Sequence, residues 1–330
     1  MRRAVTVALA LLALTFLMPL ALFGMEGTAE ELTGTLPLDR TVVTPAPSYD
    51  EGTQVRVKEE NGEVLTLGLD EYLWRVVAAE MPASFEEEAL KAQAVAARTY
   101  ALSKMEKGEP NHPQADVCTD ITCCQAYLEP EQAAENWGAE ADIYTAKIAG
   151  AVADTDGYIA TYEGEPIQAV FFSSAAGRTA DAAEVWGSSV PYLTGVESPE
   201  GEEVPNWHST VTFTPEQFRE KFLSAYPEAD LSGGVEGWFG NVERNSAGGV
   251  SSLTVGGVKV SGMELRTLLE LRSAQFSVAA TAQAITFSVT GYGHAVGMSQ
   301  YGANAMAREG STWQEIIAWY YTGVELEKME

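Results

Sequence analysis

Residues 69–105, LDEYLWRVVAAEMPASFEEEALKAQAVAARTYALSKM, decide how the chain folds. The stretch predicts two helices with a corner between them. Leu69, Tyr72, Leu73, Val76 and Val77 recur at helical spacing and mark one apolar face. Glu80 follows one turn after Val76, so a carboxylate falls on the face that otherwise points inward. Pro82 then ends the helix, because the residue before a proline is pushed out of the α region. Ser84 and Glu87 have the spacing of a capping box for a second helix. Its stripe of Leu90, Ala94, Ala97, Ala101 and Met105 is small enough to admit a close neighbour. Lys91 and Arg98 can share one side of that helix.

A carboxylate at the end of an apolar stripe, beside a tight corner, is partly desolvated. That raises its pKa toward values useful for general acid work. The same pattern also fits a loop cap, or an ion pair with Arg75 or Arg98.

The chain has 330 residues, 46% apolar and 20% charged, with a formal net charge of −27. It is long enough for one large or two modest domains. The acidity argues against nucleic-acid binding, which needs a basic face, and against adsorption to an anionic membrane surface. A polyanionic substrate would need a local basic patch, which Lys91 and Arg98 could supply.

Two arginines precede an uninterrupted apolar run over residues 4–25, long enough to span a bilayer. Acidic residues follow it, so residues 1–3 are expected in the cytoplasm and the bulk of the chain outside. A cleaved signal peptide shares the charged start, but no A-x-A site stands just after the run, which favours an uncleaved anchor. Residues 26–53 are acidic, carry Pro37, Pro45 and Pro47, and read as an extracytoplasmic linker. Residues 54–330 form the expected domain.

Within that domain, residues 54–67 alternate around Asn61-Gly62 and predict a hairpin. After the two helices comes a loop holding all three cysteines, HPQADVCTDITCCQAY. His112, Cys118, Cys123 and Cys124 make a Cys3His set suited to a structural zinc site. The alternative is a disulfide with a spare thiol, which an extracytoplasmic location favours. A helix is expected from Pro130 to about Thr155, then strands over 159–162 and 167–172 ending at FFSSAAGRT. Ser173 and Ser174 lack a G-x-S-x-G elbow and suit substrate hydrogen bonding or a plain turn. EVWGSSVPY, ending at Tyr192, reads as an aromatic loop of the kind that stacks on sugars or simply packs.

Thr214 and Pro215 open a helix over 214–226. Strands are expected over 250–255, 258–260 and 284–290, with a helix capped by Ser261 between the last two. The chain then reaches GYGHAVGMSQYGANAMAREG. Gly291, Gly293 and Gly297 frame His294 in backbone conformations closed to other residues. His294 is placed either to orient a substrate or to be satisfied by backbone groups. Gln300 opens the helix that follows and is a candidate substrate contact. Thr312 and Glu315 cap the last helix, over 313–321.

Three segments in this order, VVAAEMPASFEEEALKAQAVAARTYAL, EVWGSSVPYL and GYGHAVGMSQYGANAMA, resemble the stage II sporulation protein D family, over residues 55–326. The resemblance implies an α+β, mixed helical and β-rich ectodomain with an active-site cleft, behind one N-terminal transmembrane helix. It implies a membrane-anchored lytic transglycosylase that cuts the MurNAc–GlcNAc bond of denuded peptidoglycan to leave 1,6-anhydro ends, in septal wall remodelling and engulfment. A non-catalytic, wall-binding amidase enhancer is the alternative role, and a metal-dependent wall hydrolase a third. The Glu of the family's A-E-M-P segment corresponds to Glu80 as the acid. Lys91, Arg98, Tyr192 and His294 correspond to residues of activity or glycan contact. Some members hold zinc through His, Cys, His and Cys, and this chain keeps His112, Cys118 and Cys124 but has Cys123 for the second histidine. Implied partners are an amidase and a membrane protein, the stage II sporulation proteins P and M.

Overall fold

The computed structural model of the chain describes residues 48–329. The expected membrane segment over 4–25, the tail before it and most of the linker lie outside the described residues. No helix among the described residues is long and apolar enough to cross a membrane.

Residues 48–53, expected in the linker, are folded. Ser48 caps the one-turn helix α1 (Tyr49–Gly52), and Ser48 Oγ donates to Asp156 at 2.8 Å. The expected hairpin follows as β1 (Gln54–Lys58) and β2 (Val64–Gly68), with Val55 opposite Leu67 and Val57 opposite Leu65. Helix α2 (Leu69–Glu80) buries Leu69, Tyr72, Leu73, Val76 and Val77, the face its spacing predicts.

Helix α3 (Glu87–Lys107) starts where expected but is capped differently. Ser84 makes no cap; the N-cap is Glu86, whose N–H donates to Asn304 Oδ1 at 2.8 Å. A side chain from far along the chain thus supplies what a capping box would supply locally. Fourteen of the 21 residues of α3 are buried. It is an axle rather than an amphipathic surface helix, and its alanines admit neighbours on every side.

The cysteine loop contributes β3 (Val117–Cys118), which pairs parallel to β1. The single helix expected over 130–155 is two, α4 (Pro130–Trp137) and α5 (Ala141–Asp154). Gly138, at φ 56°, breaks them. Strands β4 (Tyr158–Tyr162), β5 (Glu165–Pro166) and β6 (Phe171–Phe172) and the short helix α6 (Ala182–Trp186) follow.

Residues 208–290 then form an inserted lobe. It holds β7 (His208–Phe213), α7 (Pro215–Ala225), β8 (Phe239–Arg244), β9 (Val250–Val255), β10 (Val258–Val260), α8 (Gly262–Leu269), β11 (Phe276–Ala280) and β12 (Ile285–Thr290). The capping boxes at Thr214 and Ser261 are both formed. Two antiparallel sheets, ordered β10-β9-β8 and β11-β12-β7, enclose a core of Phe218, Phe222, Leu253, Leu265, Ile285 and Phe287. Strands β7 and β11 were not expected; their inward residues alternate with Ser and Thr too weakly to stand out. The ends of the lobe meet where Gly291 N–H donates to Trp207 O at 2.8 Å, and the lobe also touches the rest through Ser246 Oγ, which donates to Glu184 at 2.7 Å, and Arg272 O, which accepts from Gly293 N–H.

The chain returns as β13 (Met298–Ser299), α9 (Gln300–Arg308), α10 (Trp313–Tyr320) and β14 (Glu325–Lys328). Strand β13 pairs parallel to β6, and β14 completes the sheet β14-β4-β5. The first and last parts of the sequence therefore share one core around α3, which touches α2, α5, β4, α9 and α10. The fold is α+β, as expected.

Candidate active site

Helix α2 delivers Glu80 at its last turn, where Met81 N–H closes the helix on Val77 O. Ala126 N–H, from the irregular segment after the cysteines, donates to Glu80 Oε1 at 2.7 Å. Gln300 Nε2, at the start of α9, donates to Oε2 at 3.3 Å and approaches Gln93 Oε1 at 3.5 Å. Burial raises the pKa of Glu80 above the ordinary glutamate value, against the lowering effect of those two donors. The C-terminal end of α2 acts in the same direction, since a helix dipole disfavours an anion there.

Glu80 opens into a cleft of about 490 Å³. Its walls include Tyr100, Ile121, Gln125, Phe171, Phe172 and Tyr292. Ile121 and Tyr292 form exposed apolar lips, 73% and 43% accessible. Among the described residues, the formal charges lining the cleft are Glu80 and Arg266. Gln125 is 3% exposed; its Oε1 accepts from Tyr72 OH at 3.1 Å, and its Nε2 has no partner.

His294 lines the same cleft but is fully engaged. Its Nε2–H donates to Phe171 O at 3.0 Å, and Nδ1 accepts from Val296 N–H at 3.2 Å. Burial depresses its pKa to about 4, so the ring is neutral in ordinary buffers. The expectation of a substrate-orienting histidine gives way to the other reading, a ring satisfied by backbone. Gly291, Gly293 and Gly297 do take positive φ, at 77°, 120° and 75°. At Gly293 a Cβ would stand 2.7 Å from Phe172 Cβ. Ala295 joins them in the left-handed region at φ 68°, and its carbonyl accepts from Ala180 N–H at 2.6 Å.

The other expected contacts separate. Ser173 lines the cleft, whereas Ser174 is buried, pairing through its backbone with Tyr292. Arg98 does not reach the cleft. It is fully buried and grips Asp50, with Nη2 to Oδ2 at 2.5 Å and Nε to Oδ1 at 2.8 Å. Its Nη1 donates to Tyr158 O at 3.1 Å. Lys91 pairs with Asp154 at 2.9 Å and Glu88 at 3.1 Å, away from the residues lining the cleft. Tyr192 packs on Tyr162, and its OH accepts from Gln168 N–H at 3.0 Å, also outside the cleft. Arg98, fully buried, is corrected to a framework role, while Lys91 and Tyr192 stand outside the residues lining the cleft and are engaged with neighbours.

A buried carboxylate sets the Gln300 end of the site. Glu200 Oε1 accepts from Ala175 N–H at 2.6 Å and from Ser299 Oγ, while Oε2 accepts from Ser198 Oγ at 2.6 Å. Ser299 is the N-cap of α9, so this cluster fixes where Gln300 begins.

In the cysteine loop, one ligand atom each of His112, Cys118, Cys123 and Cys124 lies within 4.8 Å of the others. The Sγ atoms of Cys123 and Cys124 are 4.0 Å apart, and all three cysteines are free thiols. Sulfurs on opposite edges of a tetrahedral zinc stand ~3.8 Å apart, given Zn–S near 2.3 Å. His112 Nδ1–H donates to Ala115 O at 3.1 Å, leaving Nε2 turned toward Cys124 Sγ at 3.4 Å. That backbone bond fixes the tautomer a metal-ligating imidazole needs. Burial pushes the Cys118 and Cys124 thiols up, so thiolates here require a cation among them. The donor set fits zinc. Adjacency of Cys123 and Cys124 is accommodated by a turn in which both N–H groups point to Asp120 O.

Sequence reading missed Tyr100, Gln93, Gln125, Ala126, Arg266 and Tyr292. Tyr292 lies inside the GYGH segment, and Gln125 follows the last cysteine, so both had a local signal. Ala126 acts through its backbone and had none.

These features define a class: a two-lobed α+β protein whose cleft is centred on one desolvated acid beside a loop rich in thiols. A family model described as "Stage II sporulation protein" matches residues 57–162, which carry Glu80 and the whole cysteine loop. The chain is 36% identical to stage II sporulation protein D of Bacillus subtilis (strain 168), covering 82% of this chain and 77% of that one. It is 37% identical to stage II sporulation protein D of Bacillus amyloliquefaciens, covering 83% and 78%. It is 30% identical to the amidase enhancer of Bacillus subtilis, over 76% of this chain and 39% of that protein. The chain belongs to the stage II sporulation protein D family. Sporulation and cell-wall remodelling are thus its setting.

Proposed function

We propose that this protein is a lytic transglycosylase in which Glu80 serves as acid and then as base on peptidoglycan strands. The observation that carries the reading is that Glu80, desolvated, is the only carboxylate among the described residues that line the cleft. Hydrolytic glycosidases work with a pair of carboxylates; an intramolecular transfer needs one. Protonated Glu80 gives its proton to the glycosidic oxygen as the C1–O4 bond of N-acetylmuramic acid breaks. The C6 hydroxyl of the same sugar then bonds to C1, and its proton passes to the Glu80 carboxylate. The acid is regenerated, no water is consumed, and a 1,6-anhydro end remains. Ala126 N–H and Gln300 Nε2 hold both oxygens of Glu80 between these steps.

Zinc would be held by His112, Cys118, Cys123 and Cys124, where it supplies folding energy to the loop rather than a reactive water. The proposed setting is extracytoplasmic, with the chain anchored by its N-terminal segment and working beside an amidase and a membrane protein (stage II sporulation proteins P and M). Similarity to an amidase enhancer favours a second reading, a wall-binding protein without turnover.

Mass spectrometry of products from denuded glycan separates the two. Native protein is expected to release anhydro-terminated fragments, and Glu80→Gln to lose ~10²–10⁴-fold in rate. Because the cycle starts from the protonated acid, kcat/KM falls as pH rises through the raised pKa of Glu80. Equal product from Glu80→Gln would remove Glu80 from the chemistry; glycan binding with no product from native protein would favour the second reading.

A further inference from the structure

Cations on this acidic chain are mostly engaged, and the two that sequence spacing offered to the glycan are spent inside the framework. Arg266 is the exception that faces the cleft. It projects from α8 in the inserted lobe, opposite the lobe that carries Glu80. Its Nε donates to Arg272 O at 3.2 Å, which fixes the stem. Among the described residues, neither of its terminal nitrogens meets an acceptor, and no carboxylate pairs with it. Arg272 in turn lies 4.1 Å over the ring of Tyr292, so the carbonyl that Arg266 grips is held by a cation–π contact at the cleft lip. Burial lowers the pKa of Arg266, yet a guanidinium stays charged. A half-buried cation with an open planar fork is an incomplete ion pair.

We infer that Arg266 supplies the anion subsite of the cleft and takes a carboxylate borne by the sugar next to the scissile bond, through a two-pronged guanidinium–carboxylate pair. The inference rests on the glycan reading above, in which that carboxylate belongs to the lactyl ether of N-acetylmuramic acid. On a strand that keeps its peptides the same group is an amide, neutral and unable to accept such a pair. Arg266 therefore makes the cleft discriminate stripped strands from peptide-bearing ones. It does so by recognition and takes no part in proton transfer. The lobe thus brings a positive charge to a cleft whose other formal charge is Glu80.

The test uses the full-length chain carrying Glu80→Gln, so that binding is read without turnover. Three glycans of equal length are compared: denuded strands, denuded strands with the lactyl carboxylates converted to methylamides, and peptide-bearing strands. With Arg266 present, denuded glycan is expected to bind about 10–100-fold tighter than its methylamide, the range of a charge-assisted pair. Arg266→Gln should erase that preference by weakening the denuded glycan alone, and Arg266→Lys should keep part of it. Thermal midpoints identify a variant that fails to fold, in which case the Lys variant decides. Equal weakening of all three glycans, an unchanged preference, or a loss confined to peptide-bearing strands overturns the assignment. The two readings fail separately. A carboxylate preference lost in Arg266→Gln, with no anhydro product from protein that retains Glu80, refutes the chemistry and leaves Arg266 in place. Product without a preference does the reverse.

Discussion

Asp50 and Arg98 form a buried pair 48 positions apart, and they show what helical spacing hides. Spacing placed Lys91 and Arg98 on one side of a helix, which is true and uninformative, because α3 has almost no free side. The guanidinium is closed by Asp50, Tyr158 O, Val152 O and Thr155 Oγ1. Burial raises the pKa of Asp50 despite its partner. Such a pair gives little net stability, but half of it is costly. Asp50→Ala is expected to lower unfolding free energy by ~3–5 kcal/mol, since it strands the Arg98 charge. Lys91→Ala, on a partly solvated pair, should cost no more than ~1 kcal/mol. Urea denaturation of both variants checks the contrast; a mild Asp50→Ala would show that Arg98 is not confined. Glu80 was legible because its own helix points it inward. Ala126 was not, and Gln300 was named only as a substrate contact; their pairing with Glu80 spans 46 and 220 positions.

Among the elements, helices with local stops were read well: Pro82, the Ser261 and Thr312 boxes, and Thr214 before Pro215. The start of α3 was misread, because its cap comes from Asn304 and no local pattern encodes that. The cysteine loop was legible as a cluster of donor groups, which the structure draws together beside the cleft. Cys124 stands two residues before Ala126, the N–H donor to Glu80, and Tyr100 OH donates to Cys123 O at 3.2 Å. Loop geometry and carboxylate geometry are thus one problem. The zinc reading predicts one metal per chain by elemental analysis. Chelation or Cys124→Ser is expected to lower the thermal midpoint and to reduce turnover ~10–100-fold although no reacting group is touched, as for other changes around a metal site. Full activity in metal-free protein with intact thiols would separate the loop from the site.

For the whole molecule, the division into two cores was not legible. The inserted lobe carries ordinary alternating strands, and nothing in 208–290 announces that its ends meet. They meet at Trp207 and Gly291, 2.8 Å apart from O to N. Replacing residues 208–290 with a short Gly-Ser turn is therefore expected to leave the main lobe folded, with cooperative melting and native helix content by circular dichroism. It should also abolish the glycan preference assigned to Arg266. A melt that broadens or disappears would mean that the second core supports the first. The axle α3 has one further consequence, which concerns time. Its neighbours α9 and α10, within residues 300–320, are synthesised some 200 residues after it. Until that stretch has left the ribosome, a long alanine-rich helix and the apolar faces meant for it have no lid. A chain halted short of residue 300 can complete the core of the inserted lobe but not the one around α3, the condition in which nascent proteins aggregate or need a chaperone. The core around α3 therefore closes only once residues 300–320 have been made.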